Sequence, residues 1–389
     1  MSTVGDRARP VLQLPQPMLS HKELTRLAAL KSEDGILSTY IKVDPQLMYD
    51  RGHPLAQFKG AVKRFTRRAN NARRLATLER EKERVLRFLE GWEPSGRGLV
   101  IFSCQPAEIW EVLSLDVPVP SFVDADTTTN TAFLVRVLDE YPRFVVALVQ
   151  RDRARIYIAE QRSARERAEI TSGVPGRHDQ GGSAQARFER HIEFLALEHL
   201  KKVADELEQL YYERPFNRLA VGGTEEAVKE LVKTLPQQLS RRVIGTFAVD
   251  FKHETEEAML ERARQVREED ERRLEKELVE RVVDAAKSGG QGVLGIEEAL
   301  RAVREGRVHT LLVADGAMKD GTACLSCDYF AAKKFERCPV CGGAAEPASD
   351  IVDRAVERAF LAGAHVEIVL GEARRWLVAQ GGMAAILRY

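Results

Sequence analysis

Four cysteines within eighteen residues carry the most definite chemistry in this chain. Cys324-Leu-Ser-Cys327 and Cys338-Pro-Val-Cys341 are two CxxC turns separated by ten residues, and each turn can aim two sulfurs at one ion. Four thiolates close the tetrahedral shell of a structural zinc site and leave no open position for catalysis. In a reducing compartment this clustering points to metal ligation and not to disulfides. The predicted ligands are Cys324, Cys327, Cys338 and Cys341, with Zn2+ as a structural cofactor that staples the fold or stiffens a knob facing a partner. Cys104, in the apolar run GLVIFSC, reads as a buried small hydrophobe. A second segment with chemical potential is the glycine-rich loop TSGVPGRHDQGGSAQ. Gly181 and Gly182 give its main chain unusual freedom, and Arg177, His178, Gln180 and Arg187 suit contacts to phosphate. The alternative for such a loop is a flexible interdomain connection with no partner.

The third segment is a helical run from 55 to 90. Phe58, Val62, Phe65, Ala69, Leu75, Leu78, Val85 and Leu89 recur at three- and four-residue steps, which predicts one inward stripe. Its first half carries Lys59, Lys63, Arg64, Arg67, Arg68, Arg73 and Arg74 with no acid among them. A cationic helix face is most simply a solvated face, and becomes an RNA-contacting one where the rest of the chain points to RNA.

These segments need elements to hold them. The runs GILSTYIKV and GRGLVIFSC read as strands, RFVVALVQRDRARIYIAEQ as a hairpin, and RLAVGG as a further strand. A long helix with Phe188, Ile192, Leu195, Val203, Leu207 and Leu210 on one stripe ends at Arg214-Pro215. Residues 253 to 287 are dense in alternating charge and read as a solvated or connecting helix. The remainder alternates helix, strand (309 to 315), cysteine cluster, helix (350 to 362) and strand (365 to 370), the pattern of a small layered α/β domain. A length of 389 residues exceeds what one core supports, and we expect three domains at 1–140, 141–262 and 263–389. Lys+Arg and Asp+Glu are equal at 59 each, so nucleic-acid binding must come from local patches. No apolar run is long enough to span a bilayer, and the start lacks a secretory signal's apolar core; a soluble, cytoplasmic protein without membrane partners is expected.

The closing segment LAGAHVEIVLGEARRWLVAQGGMAAILRY resembles that of the archaeo-eukaryotic release factors and Pelota, through Gly363-Ala364 and the run Gly381 to Tyr389. GIEEALRAVREGRVHTLLVADG resembles the start of the same domain, where archaeal members carry an inserted cysteine knuckle. HDQGGSAQARFERHIEFLALEHLKKVADEL is similar to the segment in which these release factors place their GGQ loop: Gly181-Gly182 fall on the two glycines and Arg187-Phe188 on an RF dipeptide. Ser183 stands at the catalytic glutamine's position, with Gln185 two residues on, and related bacterial hydrolases place theirs after a spacer. The amino-terminal third resembles the family through YIKVDP, GLVIFSC and VPVPSFVDADTTTNTAFL, but has no NIKS-like or YxCxxxF-like stop-codon motif. The chain as a whole resembles bacterial members of the family, of the Balon hibernation type.

This resemblance implies an α/β multidomain fold: three α/β domains in release factor/Pelota-like arrangement, with a ribonuclease-H-like middle domain and a small α/β sandwich bearing the zinc knuckle. It implies a factor for the aminoacyl site of idle or stalled ribosomes, in hibernation or rescue. Lys63, Arg64, Arg67, Arg68, Arg73 and Arg74 would face rRNA near the decoding region, and the 177–187 loop, with Arg177, His178, Gln180 and Arg187, would reach the peptidyl transferase centre. The expected partners are the ribosome, on both subunits, and a translational GTPase such as elongation factor Tu. The alternative is a peptidyl-tRNA hydrolase acting through Gly181, Gly182 and Gln185. A literal GGQ at Gly289-Gly290-Gln291 ends the charged helix and reads as a helix stop.

Overall fold

The computed structural model describes residues 19–44, 47, 52–69, 71–160, 163–174, 185–327, 329–348 and 350–389. Two compact units result: one comprises Met1–Glu140, Arg281–Val369 and Arg374–Tyr389, the other Tyr141–Glu280 and Leu370–Ala373. The first unit therefore contains an amino-terminal and a carboxy-terminal lobe.

The amino-terminal lobe runs α1 (His21–Ala28), β1 (Lys31–Lys42), α2 (Gly52–Arg68), α3 (Ala72–Gly91), β2 (Gly98–Cys104), β3 (Ile109–Leu115), β4 (Phe122–Thr128) and α4 (Ala132–Glu140). Its sheet has the order β3-β2-β1-β4 and is antiparallel throughout. Side chains alternate along β1: Leu37 and Ile41 join Phe58, Leu78, Val85 and Leu89 in one core, while Tyr40 stacks on Phe122 and meets Phe133 edge-on. The helical run expected over 55 to 90 is two helices. Asn71 breaks it, its side chain accepting from the Arg73 N–H at 2.9 Å, an N-cap that starts α3 afresh.

The second unit runs β5 (Phe144–Val149), β6 (Arg153–Glu160), β7 (Ser163–Thr171), α5 (Gln185–Glu213), β8 (Leu219–Gly223), α6 (Glu225–Thr234), α7 (Gln237–Ser240), β9 (Val243–Ala248) and α8 (Glu256–Lys287). Strand order is β7-β6-β5-β8-β9; β5, β6 and β7 pair antiparallel, and β8 and β9 continue parallel to β5. In chain order this is a 3-2-1-4-5 sheet, the ribonuclease-H-like arrangement. β5 is buried on both faces: Val145, Ala147 and Val149 meet Leu200, Val203 and Leu207 of α5, and Phe144, Val146 and Leu148 share the opposite core with Met259, Leu260 and Ala263 of α8. Leu207 is fully enclosed, so Leu207→Ala is expected to cost about 2–5 kcal/mol, seen as a lower urea midpoint with an unchanged slope.

Of the two readings of the charge-dense stretch, solvated or connecting helix, α8 fits the connecting one, because the division between the units falls within it at Glu280/Arg281. The expected boundary at 262/263 falls inside it, and besides its apolar positions it buries Arg267, Asp270, Glu271 and Glu275. Pairing makes that burial tolerable: Glu271 holds Arg218, Arg273 holds Asp270 at 2.5 Å, and Glu275 accepts from the Leu370 N–H at 2.8 Å.

The carboxy-terminal lobe runs β10 (Gly292–Leu294), α9 (Ile296–Arg304), β11 (Val308–Ala314), β12 (Gly321–Cys324), β13 (Phe330–Ala331), β14 (Ala345–Ala348), α10 (Ile351–Leu361), β15 (His365–Val369), α11 (Gly371–Ala379) and β16 (Met383–Leu387). Its main sheet is β10-β16-β11-β15, with β11 and β15 parallel; β13-β12-β14 form a small second sheet bearing the cysteines. No helix among the described residues is long and apolar enough to cross a membrane.

Candidate metal centre and nucleic-acid interface

The two CxxC turns converge as their spacing predicts. Cys324 Sγ lies 3.5 Å from Cys341 Sγ, and Cys327 Sγ lies 3.6 Å from Cys338 Sγ. All four sulfurs fall within 4.8 Å of one another, and a tetrahedral zinc with bonds of about 2.3 Å needs sulfurs about 3.8 Å apart. The donor set thus fits zinc. Backbone N–H groups face the sulfurs: Ser326 and Cys327 donate to Cys324 Sγ at 3.3 and 3.4 Å, and Val340 donates to Cys338 Sγ at 3.4 Å. Burial works against the Cys324 thiolate, yet these donors bring it down to about 6. Gly343 is required by space, since a Cβ there would sit 2.6 Å from Ser326 Oγ and 3.2 Å from Cys341 Sγ. Leu325 and Val340, at the tips of the turns, are 56% and 71% exposed, so the two turns bring their sulfurs together and offer apolar tips outward.

The basic residues separate into two kinds. Lys63 and Arg67 lie one turn apart on α2 and are exposed, with Lys59 beside them on the same helix. Arg64 is exposed but donates to the Ser121 carbonyl at 2.6 Å. Arg73 pairs with Glu33 at 3.2 Å. Arg74 is the clearest departure from the expected RNA face: it is 19% exposed, donates to the Ala125 carbonyl at 2.8 Å and holds the Asp124 carboxylate. Burial alone would raise Asp124, but Arg74 and the Asn130 amide keep it below the ordinary carboxylate range. Arg74 is therefore an internal ion-pair residue. Arg68 ends α2, and its side chain lies outside the described residues.

Arg177, His178, Gln180, Gly181, Gly182 and Ser183 lie outside the described residues. The elements on either side are described: β7 ends at Thr171, and α5 opens at Gln185 with Arg187 in its first turn. Behind the loop's entry, Ser172 Oγ lies 2.9 Å from Nδ1 of the buried His199 on α5. The literal GGQ is a helix stop: Gly289 has φ of 67°, its N–H donates to the Ala286 carbonyl at 3.3 Å and that of Gly290 to Ala285 at 2.8 Å, a paired C-terminal cap. Gly381-Gly382 ends α11 in the same way, donating to Val378 and Leu377 at 3.0 and 2.9 Å.

Residues 130–268 match the family model described as bacterial archaeo-eukaryotic release factor family 10, and residues 273–389 match that of eRF1 domain 3. Over these two spans the chain belongs to the archaeo-eukaryotic release factor family. This family member is 28% identical to the peptide chain release factor subunit 1 of Methanocaldococcus jannaschii, over 93% of this chain and 96% of that protein. Its identity to the Archaeoglobus fulgidus protein of the same name is 27%, over 81% and 83%. Among solved structures, the archaeal translation termination factor aRF1 is 22% identical over 95% of this chain and 98% of its own, with a TM-score of 0.26. Archaeoglobus fulgidus Pelota is 14% identical over 96% and 93%, with a TM-score of 0.34. In this release factor family member the first match runs from just before α4 into α8, across the segment that precedes α5, and the second runs from within α8 through the whole cysteine-bearing lobe.

Proposed function

We propose that this family member is a ribosome-binding translation factor that occupies the aminoacyl site of idle or stalled ribosomes, as a hibernation or rescue factor. One observation carries the reading: the middle-domain architecture of a release factor is kept, yet Ser183 follows Gly181-Gly182 and Gln185 is already the first residue of α5. A factor that binds and does not hydrolyse needs the loop's shape and charge, not its glutamine. Lys63 and Arg67 supply exposed cations for rRNA phosphates; Arg177, His178, Gln180 and Arg187 are the loop residues assigned to the peptidyl transferase centre. Cys324, Cys327, Cys338 and Cys341 hold structural zinc. The carboxy-terminal lobe is assigned to a translational GTPase, elongation factor Tu being our choice, and the exposed Leu325 and Val340 are consistent with a knuckle that meets a partner.

A second reading, peptidyl-tRNA hydrolysis, is favoured by the presence of Gln185 immediately after the loop. Ester hydrolysis needs a positioned water and donors for the oxyanion, not a charged catalyst. The two readings separate with ribosomes carrying labelled peptidyl-tRNA and an empty aminoacyl site, scored for co-sedimentation and for released peptide. The occupancy reading expects binding at saturation with release no faster than buffer. Release that Gln185→Ala abolishes and Gln291→Ala leaves intact would establish the hydrolase instead.

A further inference from the structure

α3 starts in an unfavourable electrostatic setting. Its first turn holds Arg73 and Arg74 and no acid, whereas the positive end of a helix dipole favours a carboxylate. The missing anion comes from the other lobe, 275 residues along the chain: Asn71 Nδ2 donates to Glu346 Oε2 on β14. The same side chain turns its Oδ1 to the Arg73 N–H at 2.9 Å and so caps α3. Asn71 thus starts the helix with its oxygen and grips the carboxy-terminal lobe with its nitrogen.

Glu346 is carried by the cysteine-bearing sheet. β14 pairs with β12, with Glu346 opposite Ala323 and Ala345 opposite Cys324, so this carboxylate stands on the strand beside a predicted zinc ligand. Its side chain lies 4.0 Å from Arg354 of α10, which is itself held by Asp126 of β4 at 2.7 Å. A cavity of about 490 Å³ is lined by Asn71, Arg73 and Arg74 from the start of α3 and by Cys324, Ser326 and Glu346 from the knuckle. The two elements share this cavity and meet at the Asn71–Glu346 bond. Elsewhere the lobes are joined without the knuckle: Glu357 of α10 accepts the Ala132 N–H at 3.0 Å and caps α4, and Asp139 of α4 accepts the Ile368 N–H at 2.7 Å. The small sheet owes its folding to metal, so metal sets whether Glu346 is in place.

We propose that metal binding at the knuckle and the order of the α2–α3 corner are coupled through Glu346 and Asn71. In the metal-bound knuckle β14 holds Glu346 against the start of α3; without metal the small sheet loosens, the carboxylate withdraws and the first turn of α3 frays. α2 ends at Arg68, just before the Asn71 cap, so the corner that frays is the one from which α2 presents Lys63 and Arg67. Its consequence for RNA rests on the proposed function; the coupling does not. Linkage makes the effect reciprocal: as zinc orders α3, the Asn71–Glu346 bond strengthens zinc binding by the same factor.

The test uses the full chain as wild type, Asn71→Asp and Glu346→Ala, each zinc-loaded and zinc-free. Asn71→Asp keeps a good N-cap but replaces the donor with a carboxylate that repels Glu346, so it cuts the link and spares the helix start. Amide hydrogen exchange is followed over residues 71–80, with β1 and β5 as references, and zinc affinity by competition with a chromophoric chelator. In wild type, zinc removal should speed exchange over 71–80 by about 5-fold or more and leave the references unchanged. In Asn71→Asp that exchange should be the same with and without zinc, and both variants should bind zinc about 5-fold or more weakly than wild type. Exchange over 71–80 that ignores zinc in wild type, that follows zinc equally in Asn71→Asp, or that rises together with the references would overturn the coupling, as would one zinc affinity for all three proteins. None of these readouts uses a ribosome, so a failure of ribosome binding counts against the proposed function alone.

Discussion

Cys338→Ser is expected to reduce bound zinc from one per chain to well below that and to unfold the small β13-β12-β14 sheet. Cys338 is the most enclosed of the four cysteines, 3% exposed, and its sulfur both faces Cys327 at 3.6 Å and accepts the Val340 N–H. Loss of an outer partner of a metal ligand costs roughly 10- to 100-fold in affinity, so loss of the ligand itself should exceed about 100-fold. The effect on folding should be large, because the small sheet has few apolar residues of its own and metal binding supplies folding free energy directly. Elemental analysis of purified protein, with near-ultraviolet circular dichroism before and after a chelator, reads both effects. Full zinc occupancy in Cys338→Ser would remove the four-thiolate site.

The second large effect is electrostatic. Replacing Lys63 and Arg67 together by glutamate should weaken ribosome binding on the order of 10- to 100-fold at physiological salt. It should also lower the slope of log affinity against log salt by about 2, one for each phosphate that the two cations no longer neutralise. Arg74→Gln is the contrast: this side chain is already engaged by Asp124 and Ala125, so the substitution should reduce stability and leave the salt slope unchanged. Equal slopes for wild type and the Lys63/Arg67 variant would return α2 to an ordinary solvated face.

Those contrasting expectations show where the sequence could be read and where it could not. Local pattern sufficed for β1, β2, β5, β8, β11 and β15, whose apolar runs are bounded by turn residues, and for the cysteine pairs, whose spacing is itself the geometry. It failed where the partner is distant. Among the described residues β7 is an edge strand, paired with β6 and studded with Arg and Glu; charge of that kind protects a sheet edge but hides the strand from a hydrophobicity reading. The break between α2 and α3 rests on one Asn side chain acting as a cap, a signal that a continuous apolar stripe overrides. Buried Glu271 and Glu275 look solvated until Arg218 and the Leu370 N–H are brought to them by the fold. Nothing local marks Arg74 as internal, or Glu357 as the cap of a helix that begins at residue 132.

The central claim, occupancy of an empty aminoacyl site, is tested most directly by a competition measurement. Ribosomes with peptidyl-tRNA and either a vacant or a tRNA-filled aminoacyl site are titrated with the zinc-loaded protein, and bound protein is counted after sedimentation. Our account predicts saturable binding of one protein per vacant ribosome and exclusion from filled ones. Equal binding to both, or binding to neither, would contradict it.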